Sequence, residues 1–217
     1  MARAHDLRVY YVTDVTLSQR LGLIETTLEA VRGGATLVQL RHPDAKAGAL
    51  LEQARALIES LAPFGIPLII NDRPDVAKAA GAAGVHVGQG DLPPEAARAI
   101  LGPKAIIGFS ITHPAEMAKV PWDVVDHLGV GPVLSKGVKP DASEPIGFEG
   151  LAACVRLSRR PVVAIGGMTA ACAQQCIAAG ADGLAVVSAI AGSKNPRAAA
   201  ATIRSAVDQA LAAREAL

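Results

Sequence analysis

The chain alternates between short apolar runs and segments with helical periodicity, and this alternation constrains the fold more than any other feature. Eight runs of five to seven residues, rich in β-branched side chains and bounded by glycine, proline or aspartate, predict strands. They are RVYYVT (8–13), TLVQL (36–40), PLIIN (67–71), GVHVG (84–88), AIIGFSI (105–111), VDHLGVG (125–131), PVVAIGG (161–167) and GLAVVSA (183–189).

Segments with helical spacing of apolar residues lie between these runs. The longer ones cover residues 24–34, 48–65, 93–102, 148–158, 169–180 and 196–217. The shorter segments after Asp72 and Ile111 also fit a helix each. Gly34, Gly81, Gly102 and Gly180 stand where helices are expected to end.

Eight strand–helix pairs in strict alternation predict a parallel sheet with right-handed crossovers. A chain of 217 residues is close to the size of a (β/α)8 barrel, which is typically about 250 residues long. We therefore expect an α/β fold, a TIM barrel forming a single domain over residues 1–217. The alternative is an open doubly wound sheet. That fold usually carries a glycine-rich turn after its first strand, and YYVTDVTLSQR has no glycine.

Composition narrows the range of partners. Hydrophobic residues make up 51% of the chain, charged residues 19% and aromatic residues 3%, so aliphatic side chains must build a large core. The net charge of +1 and the lack of a long basic run argue against nucleic acid and anionic membranes as partners. No apolar run approaches the ~18 residues of a membrane span, and MARAHDLRVYYVTD does not resemble a signal peptide. We expect a cytoplasmic protein that acts on small molecules; the sequence allows a homo-oligomer.

The three cysteines, Cys154, Cys172 and Cys176, do not have the spacing of a zinc finger. Cys172 and Cys176 are four residues apart on a predicted helix and therefore share one face. The simplest interpretation is that they are small buried apolar residues. A metal site or a redox pair is the alternative.

Polar residues or glycines follow almost every predicted strand. They include Gln39 and Arg41, Asn71 and Asp72, Gln89 and Asp91, Ser110, Gly166 and Gly167, and Val187 with Ser188. In a (β/α)8 barrel the strands are buried along most of their length, and the active site forms where they end. The pattern therefore predicts one site that collects residues from many strands.

Asp72 and Asp91 follow the neighbouring third and fourth strands. Adjacent strands lie about 4.8 Å apart, so two carboxylates at their ends can converge on one point. Two carboxylates, completed by water and phosphate oxygens, are a common Mg²⁺ site. Alternatively the two acids are solvated loop residues, with Asp91 capping the helix after Leu92-Pro93.

IGGMT (165–169) and VVSAI (186–190) follow the last two strands. Glycines let the backbone approach an anion closely, and barrels often bind phosphate between these two loops. Gly167, Val187 and Ser188 are therefore predicted to bind phosphate; the alternative is that the glycines only turn the chain.

The segment GPVLSKGVKPDASEPIG (131–147) is the longest without helical periodicity. Long loops of this kind are usually functional, so Lys136 and Lys139 are predicted to cover an anion; the alternative is a solvated loop. Arg41 can bind a phosphate through two parallel hydrogen bonds, unless it lies on the surface. No Ser-His-Asp order or Cys-x-x-Cys motif appears, which favours positioning and charge neutralisation over covalent catalysis.

In this order the strand-end motifs resemble the thiamine phosphate synthase family. They are QLR (39–41), IND (70–72), GVHVGQGD (84–91), GFS (108–110), GP (131–132), IGG (165–167) and VS (187–188), and the resemblance runs from about residue 9 to 205. It implies that hydroxymethylpyrimidine pyrophosphate and a thiazole phosphate condense to thiamine phosphate. Pyrophosphate leaves first, and the thiazole nitrogen captures the pyrimidine cation.

The resemblance also implies a role for each matched residue. Asp72 and Asp91 would hold Mg²⁺. The pyrimidine pyrophosphate would contact Gln39, Arg41, Asn71, Ser110 and Lys139, with Lys136 as an added charge, and Gly167, Val187 and Ser188 would contact the thiazole phosphate. Ser110 and Lys139 would be catalytic. The thiazole substrate that the resemblance implies is the phosphate or its carboxylate.

The chain departs from the family pattern in two places. Pro43 stands where the family has a lysine, for which Lys46 is a candidate replacement, and Lys136-Gly137-Val138-Lys139 stands in place of T-x-T-K.

Three other functions are kept as alternatives: a thiazole tautomerase of the same superfamily using His113, a barrel acting on a phosphorylated sugar, and a non-catalytic barrel that binds phosphate ligands. Among the other histidines, His5, His42 and His127 are expected at the surface or in packing. His86 is expected either to face substrate or to make a core hydrogen bond.

Overall fold

A computed structural model describes residues 5–135 and 143–216. Within these residues eight parallel strands close into a barrel in chain order, each pairing with the next and the last with the first. The strands are β1 (Val9–Val12), β2 (Leu37–Leu40), β3 (Leu68–Asn71), β4 (Gly84–Val87), β5 (Ile106–Ile111), β6 (His127–Val130), β7 (Val162–Ile165) and β8 (Gly183–Val186). The predicted (β/α)8 barrel is confirmed, and the open doubly wound sheet is excluded.

The α-helices of the described residues follow the strands as predicted, with two differences. They are α1 (Leu23–Arg32), α2 (Ala47–Leu61), α3 (Pro74–Ala80), α4 (Pro94–Leu101), α5 (Gly147–Leu157), α6 (Ala173–Ala178), α7 (Ser188–Ala191) and α8 (Pro196–Glu215). Short 3-10 helices cover Ala62–Phe64, Pro114–Lys119 and Ala170–Cys172.

The first difference is the segment after β5, which forms only the 3-10 helix Pro114–Lys119 and no α-helix. Val120 precedes Pro121 and is extended, because the proline ring disfavours helical dihedral angles in the residue before it. The second difference is at β8, where the apolar run GLAVVSA predicts a strand to residue 189. The strand ends at Val186, and Ser188 begins α7. A continuous apolar run gives no period that could separate strand from helix.

The apolar core consists of two shells. The outer shell packs the outward faces of the strands against the helices, as Val38, Val85 and Leu184 illustrate. The inner shell fills the barrel. Its members are Leu7, Tyr10, Val12, Leu37, Ile69, Ile106, Val163 and Ala185. The lower members of this shell close the barrel interior, while Tyr10, Val12, Val163 and Ala185 also line a pocket at the end where the strands finish.

Two histidines also occupy the barrel interior, and glycines opposite them provide the space. His86 and His127 have ring centroids 5.5 Å apart. A Cβ at Gly108 would lie 2.3 Å from His86 Nδ1 and 2.5 Å from His127 Nε2, and one at Gly129 would lie 3.0 Å from His86 Cε1. His127 is fully buried, and its Nδ1 is 3.0 Å from Nε2 of His5. His127 and His5 are therefore packing residues of the barrel interior.

In the part of the chain that the structure describes, no helix is both long and apolar enough to span a bilayer.

Candidate active site

A pocket of about 430 Å³ opens where the barrel strands end. Of the predicted site residues, nine line it: Gln39, Arg41, Asn71, Asp72, Asp91, Ser110, Gly167, Val187 and Ser188. The remaining two, Lys136 and Lys139, lie outside the described residues. Residues as far apart in sequence as Gln39 and Ser188 thus share one cavity, because parallel strands finish at the same end of the barrel.

The Asn71-Asp72-Arg73 segment divides between the pocket and the surface. Asn71 and Asp72 line the pocket, and Nδ2 of Asn71 donates to Oδ2 of Asp72 at 2.5 Å. Arg73 instead forms an ion pair with Asp75 at 2.6 Å in the first turn of α3. The Arg73 guanidinium therefore pairs with a residue in the first turn of α3, whereas Asn71 and Asp72 line the cavity.

Asp72 has an unusual backbone conformation. Its φ of 58° lies in the left-handed region, where aspartate and asparagine are tolerated better than most residues. Its N–H donates to the carbonyl of His86 at 2.8 Å, which continues the β3–β4 pairing one residue beyond β3. Asp72 thus lies directly after β3, beside β4, and Asp91 lies in the loop after β4, and both line the pocket.

Asp91 lies in the loop after β4 and does not cap a helix. Its Oδ2 accepts a hydrogen bond from the Gly88 N–H at 2.7 Å, and the N-cap position of α4 is Pro93, with no side-chain cap. The capping alternative is therefore wrong for this residue. Asp91 is exposed and lines the pocket, so its carboxylate can reach a ligand there.

Two hydrogen-bonded pairs form the floor of the pocket. Nε2 of Gln39 donates to the buried hydroxyl of Tyr10, and burial raises the pKa of that tyrosine far above its ordinary value. Nε2 of His86 lies 2.9 Å from Oγ of Ser110. Both alternatives for His86 therefore hold, because its buried ring makes a hydrogen bond and also lines the pocket where a substrate would bind.

Arg41 lies at the side of the pocket and is positioned through its backbone. Its N–H donates to Oγ1 of Thr13 at 3.0 Å, and that hydroxyl donates to the Arg41 carbonyl at 3.4 Å. These bonds join the ends of β1 and β2. Lys46, the candidate replacement for the family lysine, is exposed beside α2 and is not among the lining residues.

Several lining residues were missed by the sequence reasoning, among them Tyr10, Glu116 and Ser143. Glu116 accepts hydrogen bonds from the Thr112 N–H at 2.7 Å and from its hydroxyl at 2.8 Å. A Thr-x-x-x-Glu spacing next to a predicted strand end was the available signal for this pair. Tyr10 gave no such signal, because it stands beside Tyr11 in an unbroken apolar run.

The opposite side of the pocket is formed by Gly166 and Gly167 after β7. Both have positive φ, 94° and 78°, which favours glycine. A Cβ at Gly167 would also lie 2.7 Å from Oγ of Ser135, because the loop after β6 packs against this turn. Space and dihedral angles thus both exclude a side chain here. The glycines leave exposed backbone at the rim of the cavity, next to Val187 and Ser188 at the start of α7.

His113 does not contribute to the pocket. It is exposed, its Nδ1 accepts a hydrogen bond from the Ala115 N–H at 3.2 Å, and it is absent from the lining residues. The histidine thus begins the 3-10 helix Pro114–Lys119 and is not available as an acid or base in the cavity.

The fold and this pocket define the class of the protein as a (β/α)8 barrel with an open pocket at the carboxyl ends of the strands. A carboxylate pair lies after β3 and β4, and a glycine-rich turn lies after β7.

Comparison with known proteins identifies the family. The model of the family described as thiamine monophosphate synthase matches residues 9–190. Curated relatives include the thiamine-phosphate synthase of Xanthobacter autotrophicus, 53% identical with 95% of this chain and 98% of the relative covered. The thiamine-phosphate synthase of Azorhizobium caulinodans is 51% identical, with 96% and 98% covered.

A solved structure agrees with the sequence relatives. The thiamine phosphate pyrophosphorylase from Pyrococcus furiosus superposes with a TM-score of 0.87 at 35% identity, over 95% of this chain and 98% of that one. The chain belongs to the thiamine monophosphate synthase family.

Proposed function

We propose that this chain is a transferase that condenses hydroxymethylpyrimidine pyrophosphate with a thiazole phosphate, or its carboxylate, to give thiamine phosphate and pyrophosphate. The observation that carries this proposal is the convergence of the family's strand-end residues on one cavity, in a chain that belongs to the family. A carboxylate pair and a glycine-rich turn on different sides of that cavity suit two phosphorylated substrates held together.

Asp72 and Asp91 would hold a Mg²⁺ ion. Among the described residues no group of three or more His, Cys, Asp or Glu side chains could surround a metal. Two carboxylates at the open mouth therefore fit an ion that takes its other ligands from water and substrate phosphate, as Mg²⁺ does. When bound, the ion supplies positive charge that stabilises the pyrophosphate as it leaves.

The side chains on the floor would bind the pyrimidine pyrophosphate. Because Gln39 donates its amide N–H to Tyr10, its Oε1 is the amide atom directed to accept a hydrogen bond from the ligand. Asn71 lies next to the Asp72 carboxylate, and Ser110 is held by His86. Arg41 adds a cation at the same side, where its planar guanidinium suits a phosphate. Lys136 and Lys139 remain proposed cations over the pyrophosphate, with Lys139 and Ser110 the proposed catalytic residues.

The turn at Gly167, with Val187 and Ser188 beside it, would bind the thiazole phosphate. Backbone N–H groups and one hydroxyl can approach a phosphate closely there, because Gly167 carries no side chain. Fixing the thiazole at this side places it across the cavity from the pyrimidine. Catalysis then consists of holding two reactants in one geometry and stabilising the departing anion.

The alternative functions receive less support from the site. The acid–base residue that the sequence offered for a thiazole tautomerase is His113, and His113 lies outside the pocket. A sugar-phosphate barrel or a non-catalytic phosphate-binding barrel would use the glycine turn but does not require paired carboxylates. These functions predict different products and can be separated in one assay.

The test is a measurement of pyrophosphate release by the purified protein, with either substrate or both, and with or without Mg²⁺. We expect release only when both substrates and Mg²⁺ are present, with thiamine phosphate formed in equal amount. Release from the pyrimidine substrate alone would identify a hydrolase. Binding of both substrates without any product would support the non-catalytic barrel.

A further inference from the structure

Three sulfur atoms lie together just behind the glycine turn after β7. Sγ of Cys176 is 3.6 Å from Sδ of Met168, and Sγ of Cys172 is 3.9 Å from the same atom. Cys172 and Met168 are each 4% exposed and Cys176 is fully buried; both cysteines are free thiols. The proposed reaction uses none of these sulfurs.

The local sequence explains why the sulfurs meet. Met168 ends the turn, Cys172 closes the 3-10 helix Ala170–Cys172, and Cys176 follows one turn later on α6. Cys172 and Cys176 are four residues apart on consecutive helical turns and share one face, and Met168 lies in the turn just before the first of them. That face is turned inward, so the sulfurs point toward each other and away from bulk water.

Backbone groups of Thr169 hold the Cys172 thiol in place. Its Sγ accepts a hydrogen bond from the Thr169 N–H at 3.3 Å and donates to the Thr169 carbonyl at 3.1 Å. Cys154 on α5 is a buried free thiol outside this cluster.

We infer that Met168, Cys172 and Cys176 form a binding site for a soft monovalent metal ion of the Cu(I) type. Three sulfurs arranged in a triangle around one ion at a metal–sulfur distance of about 2.3 Å are about 4 Å apart, and the two separations from Met168 approach this value. Thiolate and thioether ligands select Cu(I) over magnesium or calcium.

The ligand set also separates this site from a zinc site and from the carboxylate pair. Within the described residues no third His, Cys, Asp or Glu joins the two cysteines, and structural zinc sites use four such ligands. Asp72 and Asp91 follow β3 and β4, whereas the sulfurs follow β7. Met168 lines the pocket, which gives an ion a route to the buried sulfurs. Each cysteine that binds the ion releases one proton, and the copper stays in the Cu(I) state.

The test is an anaerobic titration of the purified protein with Cu(I) against a chromophoric Cu(I) chelator. We expect one equivalent to be retained, with thiolate-to-copper charge-transfer absorption. Cys172→Ser and Cys176→Ser should each weaken binding by at least roughly tenfold, and Met168→Leu should weaken it less. Cys154→Ser is the matched control, because it removes a buried thiol outside the cluster, and it should bind like the unchanged protein.

X-ray absorption of the copper-loaded, unsubstituted protein gives a measurement that does not depend on the variants folding. A shell of three sulfurs supports the proposal, whereas a shell of nitrogen or oxygen overturns it. Retention of copper by the Cys172→Ser, Cys176→Ser double variant, or equal loss in Cys154→Ser, would also overturn it.

Discussion

Nε2 of His86 and Oγ of Ser110 lie 2.9 Å apart, and this hydrogen bond joins the ligand pocket to the buried interior of the barrel. His86 in turn packs against His127 across Gly108. The orientation of a proposed catalytic hydroxyl therefore depends on His86 and, through it, on His127 in the barrel interior. This dependence can be tested at the glycine that makes room for both imidazole rings.

We expect Gly108→Ala to destabilise the protein and to reduce activity together. The new Cβ would lie 2.3 Å from His86 Nδ1 and 2.5 Å from His127 Nε2, so both rings must move. Overpacking of this kind costs about 1–3 kcal/mol, which denaturant unfolding measures. Gly48→Ala on α2 is the matched control, because a Cβ there meets no atom within 4 Å and should add up to about 1 kcal/mol of stability. Equal stability of the two variants would show that the interior tolerates the methyl group.

Asp91→Asn should leave the fold intact and abolish most Mg²⁺-dependent turnover. The amide oxygen can still accept the hydrogen bond from the Gly88 N–H, but the negative charge is lost. We expect a fall in turnover on the order of 10²-fold, partly restored by excess Mg²⁺. The assay is pyrophosphate release, with Asp44→Asn in an exposed loop as the control. Turnover unchanged from the original chain would contradict the metal assignment.

Substitutions at Asp72 should separate charge from backbone conformation. Asp72→Asn keeps a residue type that tolerates a φ of 58°, so its thermal stability should stay close to that of the unchanged protein. Asp72→Ala should lose about 1 kcal/mol, because other side chains are strained in the left-handed region. Both variants should lose Mg²⁺-dependent activity. If Asp72→Asn lost as much thermal stability as Asp72→Ala, the stabilising feature would be the carboxylate and not the tolerance of a positive φ.

A half-buried ion pair behind β5 should contribute strongly to stability. Nη2 of Arg98 is 2.7 Å from Oδ2 of Asp126, and that oxygen also accepts the Ile107 N–H at 2.8 Å. Asp126→Ala would leave the guanidinium and a buried amide without this acceptor, at a cost of about 3 kcal/mol in unfolding free energy. The control is Arg32→Ala on α1, whose pairs with Glu25 and Glu29 are more exposed, so a much smaller loss is expected there. Similar losses at the two positions would contradict the importance of burial.

His127 should make the fold sensitive to mild acid. Burial, then the nearby His86 and His5, lower its pKa well below 6.5 in the folded state. The unfolded chain therefore binds a proton that the folded chain does not, and stability falls as the pH drops below about 6.5. At pH 5.5 the loss from this residue should reach about 1 kcal/mol.

Thermal melts between pH 7.5 and pH 5.5, the range that contains the ordinary titration of histidine near pH 6.5, measure this effect. Tyr10 is the remaining ring beside His127, and burial raises its pKa far above this range, so it does not titrate there. His127→Phe should show a shallower decline than the unchanged protein. His42→Gln is the control, because His42 lies on the barrel surface beside Gln53. If thermal stability fell equally steeply with decreasing pH in all three proteins, His127 would not be the cause of the acid sensitivity.

The barrel and most of the pocket could be predicted because both follow from local patterns. Short β-branched runs alternating with amphipathic segments predict the strand order, and the polar strand ends predict which residues share the cavity. The prediction of secondary structure was wrong in two segments whose apolar residues follow neither a helical nor a strand period. The continuous apolar run through Val187 hid the start of α7 at Ser188, and the segment after Ile111 formed a 3-10 helix before Pro121.

The sequence alone determined the closed α/β barrel, the end of it that carries the pocket, and the family, because alternation and strand-end chemistry are local properties of the chain. Only the tertiary structure decided which neighbours face each other. Tyr10 points into the barrel to meet Gln39, His86 reaches Ser110, and Arg98 pairs with Asp126. These contacts depend on register and on packing between distant segments, and no local pattern in the chain encodes either one.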